Sequence, residues 1–538
     1  MTDQVGRHPD TQSPTGIMEA MVDFFARKTV GLYFLSFLMG VFLSRTFSPY
    51  NFFPAVFLVF PVWILLIDRL KSTAQAYVVG WWGGFGLFAT GLTWVGYSFT
   101  QQDAVPVMLA PLAILCLAGV LSIYTGLLFA LCWRLWPRSG WRILLFAVLW
   151  TLFEMARGTL FTGFPWHVVG SLWADWSLMA QAAYIGSVYG LSFVTVLAAG
   201  CLIYAFRSDM ALKDRLTLSL FAAALLSVQF TYGYVRLGAA SVDFHNNVLI
   251  KVVQANVKQR EKWISYLIED HFDKHLQLSR GNSEEGIAEG AKLLIWPETS
   301  VQRENFDREG SVVRWRVSQV LEAGSYALVG APRYEVQNGN LTYYNSLFAV
   351  NSNANLYARY DKTHLVPFGE YLPFASLLEK LGIAQMVGGA PFAGGPGPQT
   401  IKLPGVPSFS PLICYEAIFP GAVTDPSNRP EWLLNISNDG WFGLTEGPYQ
   451  HLALSRFRAI EEGLPLLRST STGISAMVDP YGRTLSKLGL NTTGTMNVNL
   501  PKALEAPLVP TASKILILAG FLIFLLIILF IIEKRKTN

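Results

Sequence analysis

Four cysteines occur in the chain, and Cys116, Cys132 and Cys201 fall inside apolar runs, where cysteine acts as a small buried hydrophobe. Cys414 alone lies in a polar region, directly after the strand-like run 411–413 of SPLICYEAIFPG and before a short helix-like stretch. A thiol at such a junction sits near a helix N-terminus, whose backbone N–H groups lower a thiol pKa from roughly 8.5 and bind oxyanions. Glu416 adds a carboxylate just beyond it. Two other stretches hold groups that complement a thiol. In LLIWPETS an apolar strand stops at Trp296-Pro297, since proline cannot donate to a strand ladder, and Glu298 is delivered into a loop. In YDKTHLVPFGEYLP, Lys362 and Glu370 flank an apolar, proline-bearing run that holds both in a defined loop. Singly, each residue has a plainer reading: a buried structural cysteine, a solvated strand-end carboxylate, a surface ammonium.

The elements that must position these groups divide the chain in two. With 52% hydrophobic and 14% charged residues over 538 positions, the chain is too apolar for a purely soluble protein and too long for one domain. A net charge of +4 with no basic block gives no nucleic-acid signature. A bilayer core about 30 Å thick needs roughly 20 apolar residues in a helix, and eight runs approach that size. They lie near 29–45, 51–67, 77–99, 105–133, 142–157, 182–206, 216–235 and 514–532. Run 515–532 has no polar side chain and ends at Glu533-Lys534-Arg535-Lys536, while the fifth run carries Glu154 and Arg157, three apart on one helical face where they can pair.

Lys and Arg accumulate in alternate connections, which by the positive-inside rule puts both termini in the cytoplasm. The predicted domains are a tail at 1–28, seven spanning helices in 29–239, an outer domain at 240–510 and a last helix with a basic tail at 511–538. The N-terminal stretch does not resemble a cleaved signal peptide, so the first helix is expected to remain as an anchor. Within 240–510 the β-rich runs 248–253, 293–296, 327–329, 343–350 and 432–436 alternate with helical stretches, and about 270 residues can bury a full α/β core. Residues 383–399 read as a Gly/Pro-rich loop with an apolar tip of Met386, Val387 and Phe392.

Together, WPE at 296–298, the Lys362 segment and CYE at 414–416 resemble the Glu-Lys-Cys sites of the nitrilase (carbon-nitrogen hydrolase) superfamily in chain order and setting. KW at 262–263, HLVPFGEYLP at 364–373, SNDGWFG at 437–443, GPYQH at 447–451, PLLRST at 465–470 and FTGFPWH at 161–167 are similar to the apolipoprotein N-acyltransferase family. The resemblance runs from about residue 30 to the C-terminus. It implies an eight-helix transmembrane bundle, seven plus one, carrying an αββα four-layer nitrilase-like sandwich on the periplasmic side of the bacterial inner membrane. It also implies transfer of a fatty acyl group from a phospholipid donor to the N-terminal amine of diacylglyceryl-cysteine in an apolipoprotein acceptor.

That reaction breaks an ester and forms an amide, and a thioester on Cys414 divides it into two lower barriers. Glu298 is assigned as the base, Lys362 and the Tyr415 N–H as oxyanion donors, Glu370 as the partner that orients Lys362, and Glu416 as a supporting carboxylate. Trp263, Trp441 and Tyr415 are expected along the substrate path. His364 and His451 are candidate supporting residues whose plainer reading is structural or solvated. No cofactor or metal is expected, since HExxH and CxxC spacings are absent, and the lack of GxSxG argues against a serine lipase. A monomer is expected. The rival readings are a membrane-tethered amidase or nitrilase using the same residues, and a transporter with a structural outer domain. Transport would place ionisable groups at helix centres, whereas here they lie near helix ends.

Overall fold

The computed structural model describes residues 16–537, apart from 104, 138–139, 207–210, 282–289, 291, 304–305, 338–339, 374 and 376–390. Alternation along the β-rich runs sorts side chains between two cores. In β1 (Phe244–Gln254), Ile250 and Val252 enter one apolar cluster while Val253 enters another. β2 (Leu293–Ile295) does the same, with Leu293 and Ile295 on one side and Leu294 on the other. These strands lie in a six-stranded sheet ordered β12-β1-β2-β3-β4-β5, with β3 Tyr326–Gln337, β4 Asn340–Asn351, β5 Leu356–Asp361 and β12 Gly494–Pro501. A second six-stranded sheet is ordered β11-β10-β9-β8-β7-β6. Its strands are β6 Ile401–Leu403, β7 Val406–Ile413, β8 Trp432–Ser437, β9 Leu466–Thr470, β10 Ser475–Val478 and β11 Thr484–Leu488.

The sheets face each other across a core that includes Ile250, Leu293, Leu328, Phe409, Trp432 and Met477. The outer face of the first sheet is covered by Phe272 and Leu276 of helix Ile268–Arg280 and by Val313 and Val317 of helix Val312–Ser318. Ala459 of helix Gly447–Glu462 packs on the outer face of the second. β1, β2 and β3 run parallel, as do β7, β8 and β9, and the chain leaves their C-terminal ends at the points where Glu298, Cys414 and Asp439 follow. The carboxyl ends of parallel strands are where α/β sheets gather reactive groups.

The N-terminal half is helical and apolar. Five helices among the described residues are long and apolar enough to cross a membrane: Val107–Leu135, Arg142–Thr162, Ala183–Ala205, Leu212–Gly238 and Thr511–Arg535. Thr29–Ser44 and Phe53–Asp68 are shorter apolar helices. The expected run 77–99 is interrupted, because helix Thr73–Gly91 gives way to the 3-10 helix Thr93–Gln101. Helix Thr73–Gly91 is rich in glycine, which lets neighbours approach closely: a Cβ on Gly84 would stand 2.0 Å from Thr125 Oγ1. The run 182–206 is broken at Ser187 (φ 62°, ψ 176°), where Glu461 of the sandwich accepts hydrogen bonds from Ser187 Oγ and Val188 N, both at 2.8 Å.

Glu154 and Arg157 form no ion pair with each other among the described residues. Glu154 Oε1 accepts from Val169 N at 2.8 Å, and Arg157 Nη1 donates to the Phe164 and Trp166 carbonyls at 2.5 and 2.6 Å. Backbone groups of the connection 163–169 need buried partners, and these two side chains supply them. The helical half and the sandwich meet in one continuous core, to which Tyr415, Ile418, Phe419, Val366 and Phe442 contribute from the sandwich side.

Candidate active site

β7 ends at Ile413, and Cys414 turns the chain with φ +54° into a 3-10 turn, Cys414–Ile418. Positive φ is uncommon for a residue with a Cβ and needs surrounding support. Glu416 gives part of it: one carboxylate oxygen accepts from Ile413 N at 2.6 Å, the other from Thr363 N at 2.7 Å, His364 N at 3.1 Å and Tyr360 Oη at 2.8 Å. Glu416 therefore ties the cysteine turn to the lysine loop, and its acceptor capacity is spent on that task.

Lys362 follows β5, with its N–H on the Asn345 carbonyl at 2.8 Å. Its ammonium is 1% exposed and lies 2.9 and 2.8 Å from the two oxygens of Glu370 and 3.8 Å from Glu298 Oε1. Burial works against that charge, but the carboxylates of Glu370 and then Glu298 outweigh it and raise the lysine above its ordinary pKa. Asn345 of β4 donates to both carboxylates, at 2.7 Å to Glu298 and 3.1 Å to Glu370, so one amide registers the pair. Glu370 Oε2 also accepts from Val366 N at 2.8 Å. Glu298 lies in the loop after β2, and its Oε2 is buried with no hydrogen-bond partner among the described residues, leaving it open to take a proton.

Cys414 belongs to the same group, since the charges of Glu298 and Lys362 both act on it. The expectation of a lowered thiol pKa is reversed. Cys414 is 7% exposed; burial, followed by the Glu298 carboxylate, pushes the thiol up to about 12, and Lys362 only partly opposes them. The cause is that the turn is short and the thiol faces inward rather than capping a long exposed helix. Cys414 at rest is thus a neutral thiol acted on by a carboxylate with a free oxygen, a combination in which a proton can be handed from one to the other.

Lys262 escaped the sequence reading, which took it only as part of KW, because an isolated lysine carries no signal of burial. It is 1% exposed and donates to the Glu298 carbonyl at 3.0 Å. Burial lowers it to about 8, against the attraction of Glu298 and Cys414. Trp263 is half exposed and Trp441 half-buried. Tyr415 turns away from the site: its hydroxyl donates to the Gly163 carbonyl at 3.1 Å and its ring packs on Phe419. His364 stacks on Phe419 with ring centres 3.8 Å apart. Met386 and Val387 lie outside the described residues. Phe392 lies within them, its N–H on the Glu370 carbonyl at 2.9 Å, while Gly395 N donates to the Lys362 carbonyl at 2.8 Å.

A buried thiol, an open carboxylate and a clamped ammonium make a site for nucleophilic acyl transfer. Comparison with known proteins reaches a compatible result. Residues 39–201 match the model of the apolipoprotein N-acyltransferase N-terminal domain, and residues 249–507 match that of carbon-nitrogen hydrolase. An apolipoprotein N-acyltransferase of Rhodopseudomonas palustris is 36% identical over 520 residues, covering 94% of this chain and 95% of the relative. One from Bradyrhizobium diazoefficiens is 37% identical, covering 85% of this chain and 87% of the relative. Among solved structures, Saccharomyces cerevisiae Nit3, a member of branch 10 of the nitrilase superfamily, is 17% identical with a TM-score of 0.35, covering 50% of this chain and 93% of that one. With two matched domains in order and relatives aligned along nearly all of its length, the chain belongs to the apolipoprotein N-acyltransferase family.

Proposed function

We propose that this enzyme moves a fatty acyl group from a membrane phospholipid to the N-terminal amine of a diacylglyceryl-modified apolipoprotein, through a thioester on Cys414. The observation that carries the reading is that Cys414, Glu298, Lys362 and Glu370 form one largely buried cluster and that the turn bearing Cys414 packs against the apolar helical half. A hydrolase of small amides would use the same groups but has no need of such a seam.

In the first half-reaction Glu298 Oε2 takes the thiol proton and sulfur attacks the ester carbonyl. The oxyanion that forms is met by the Lys362 ammonium and the Tyr415 N–H. Collapse breaks the ester C–O bond, and Glu298 returns its proton to the departing lysophospholipid oxygen. In the second, a neutral amine attacks the thioester, and the proton it sheds passes through Glu298 to the departing sulfur. Glu370 keeps Lys362 aimed, Glu416 holds the cysteine turn, and Trp263, Trp441, Met386, Val387 and Phe392 are assigned to contacts with the lipid-bearing substrates. No step calls for a metal or cofactor.

The same reading takes the apolar helices as eight spans, seven before the sandwich and one after, in a monomer of the bacterial inner membrane. It puts both termini in the cytoplasm, residues 240–510 in the periplasm, and domain limits at 1–28, 29–239, 240–510 and 511–538. The test is incubation of the purified chain with isotopically labelled phospholipid, followed by mass spectrometry. A thioester-bound acyl chain on Cys414, stable until a diacylglyceryl peptide is added and then transferred to its amine, is the expected result. Release of free fatty acid to water at the same rate with and without the peptide would favour the hydrolase.

A further inference from the structure

Apart from Trp441, the segments FTGFPWH, SNDGWFG, GPYQH and PLLRST have no place in the steps above, yet they supply His451 and the residues that back it against one atom, the carbonyl oxygen of Cys414. Asn435 Nδ2 donates to it at 3.3 Å, and His451 Nε2 lies 3.2 Å away. His451 is 1% exposed, on helix Gly447–Glu462. Its Nδ1 is 3.0 Å from Arg468 Nη2 and 3.0 Å from Asp439 Oδ1. Arg468 Nη2 donates to both Asp439 oxygens at 2.8 Å, and Arg468 Nη1 donates to Asn435 Oδ1. A carbonyl only accepts, so Nε2 carries the ring proton. Burial, with Arg468 alongside, lowers the ring's pKa, and its Nδ1 faces both the Arg468 guanidinium and the Asp439 carboxylate. The helical half braces this arrangement. Trp166 packs on His451 with ring centres 5.8 Å apart and donates to Gln450 Oε1 at 2.7 Å, while Gly163 receives the Tyr415 hydroxyl.

The Cys414 carbonyl and the Tyr415 N–H are opposite ends of one planar trans peptide group, so holding the oxygen dictates where the N–H points. Donors on a carbonyl also polarise the N–H of the same unit. We infer that Asn435 and His451, backed by Asp439 and Arg468 and braced by residues 161–167 of the helical half, are positioning residues that aim the Tyr415 N–H at the oxyanion. The inference rests on the acyl-transfer reading.

The experiment uses the full chain in detergent, with mixed micelles of a labelled phospholipid and a diacylglyceryl lipopeptide, and with iodoacetamide as a small reagent for Cys414. Alkylation builds no oxyanion, so it separates aim from general damage. His451→Leu and His451→Asn, which cannot donate at the Nε2 position, are expected to lower kcat about tenfold to a hundredfold, less than the hundredfold or more for deleting a donor outright. KM should stay within about threefold and alkylation within about twofold of wild type. His451→Gln, whose amide reaches the Nε2 position, should recover most of the rate. Parallel loss of transfer and alkylation, an unchanged kcat, or Gln no better than Asn would overturn the cradle. Because the Asn variant keeps a polar side chain, it serves if the Leu variant does not accumulate. Absence of any acyl group on wild-type Cys414 would sink the acyl-transfer reading and the cradle with it, whereas normal wild-type acylation with unimpaired His451 variants sinks the cradle alone.

Discussion

At the scale of single residues, the site works through opposed charges around a thiol that rests protonated. Cys414→Ser should lower acyl transfer by roughly a thousandfold or more with little change in thermal unfolding, because a hydroxyl is a far weaker nucleophile and the two side chains differ little in size. The pH dependence of alkylation separates the neighbours. With the thiol at about 12, wild-type alkylation should keep rising with pH and show no plateau below about pH 10. Removing the Glu298 charge favours the thiolate, so the profile of Glu298→Gln should move to lower pH. Removing the Lys362 charge disfavours it, so Lys362→Ala should move to higher pH. Both variants should nevertheless fail to form thioester from phospholipid, the first for want of a base and the second for want of an oxyanion partner. A Glu298→Gln profile moving upward would show that the carboxylate does not act on the thiol. Cys414 and Glu298 stood out in the sequence because each follows an apolar strand-like run, and Lys362 because with Glu370 it flanks an apolar, proline-bearing run; their combination was read from the family resemblance. The direction of the thiol shift was not, since it depends on burial supplied by distant segments, and neither was Lys262, whose neighbours only the fold brings near.

Among the elements, the loop carrying Glu298 is set by the strand beside it. A Cβ on Gly330 of β3 would stand 2.5 Å from the Pro297 carbonyl and 2.8 Å from Glu298 Cα, so any side chain there must displace Glu298. Gly330→Ala should cost about 1–3 kcal/mol of stability by overpacking. It should slow thioester formation tenfold or more while alkylation of Cys414 changes little; equal effects on both would mean that Glu298 tolerates the shift. The runs 248–253, 343–350 and 432–436 read correctly as strands because they alternate or stay wholly apolar. β11 and β12 did not stand out: β11 has five residues, none of them fully buried, and only adds an edge beside β10, while β12 interleaves exposed and buried residues and pairs with β1 at the other end of the domain. The evenly apolar runs in the N-terminal half concealed their breaks. At Ser187 the interruption is stabilised by Glu461, 274 residues away, and no local pattern announces such a partner.

For the whole molecule, the seam between the halves is apolar and includes the turn that holds Cys414. Residues 240–510 made alone would expose Val366, Ile418, Phe419 and Phe442 together, and are expected to require detergent and to lose acylation, as measured by solubility and by mass of the adduct. At the same seam Glu462 is buried beside Glu461, and burial followed by that neighbour raises it to about 7. A carboxylate with a raised folded pKa binds its proton more tightly in the native state, so stability should fall as pH rises from about 4.5 to 7. Glu462→Gln should flatten that slope in thermal unfolding, and an unchanged slope would assign the effect elsewhere. The final helix, Thr511–Thr537, packs against helices Arg142–Thr159 and Ala183–Cys201, burying Leu522 and Leu529 among them. This sets an order of events during synthesis. Helices Arg142–Thr159 and Ala183–Cys201, and then the sandwich, are translated before the helix that packs against them. Helix Thr511–Thr537 follows the sandwich in the chain, so a nascent chain that stalls after residue 510 carries Cys414, Glu298 and Lys362 on helices that still lack this partner.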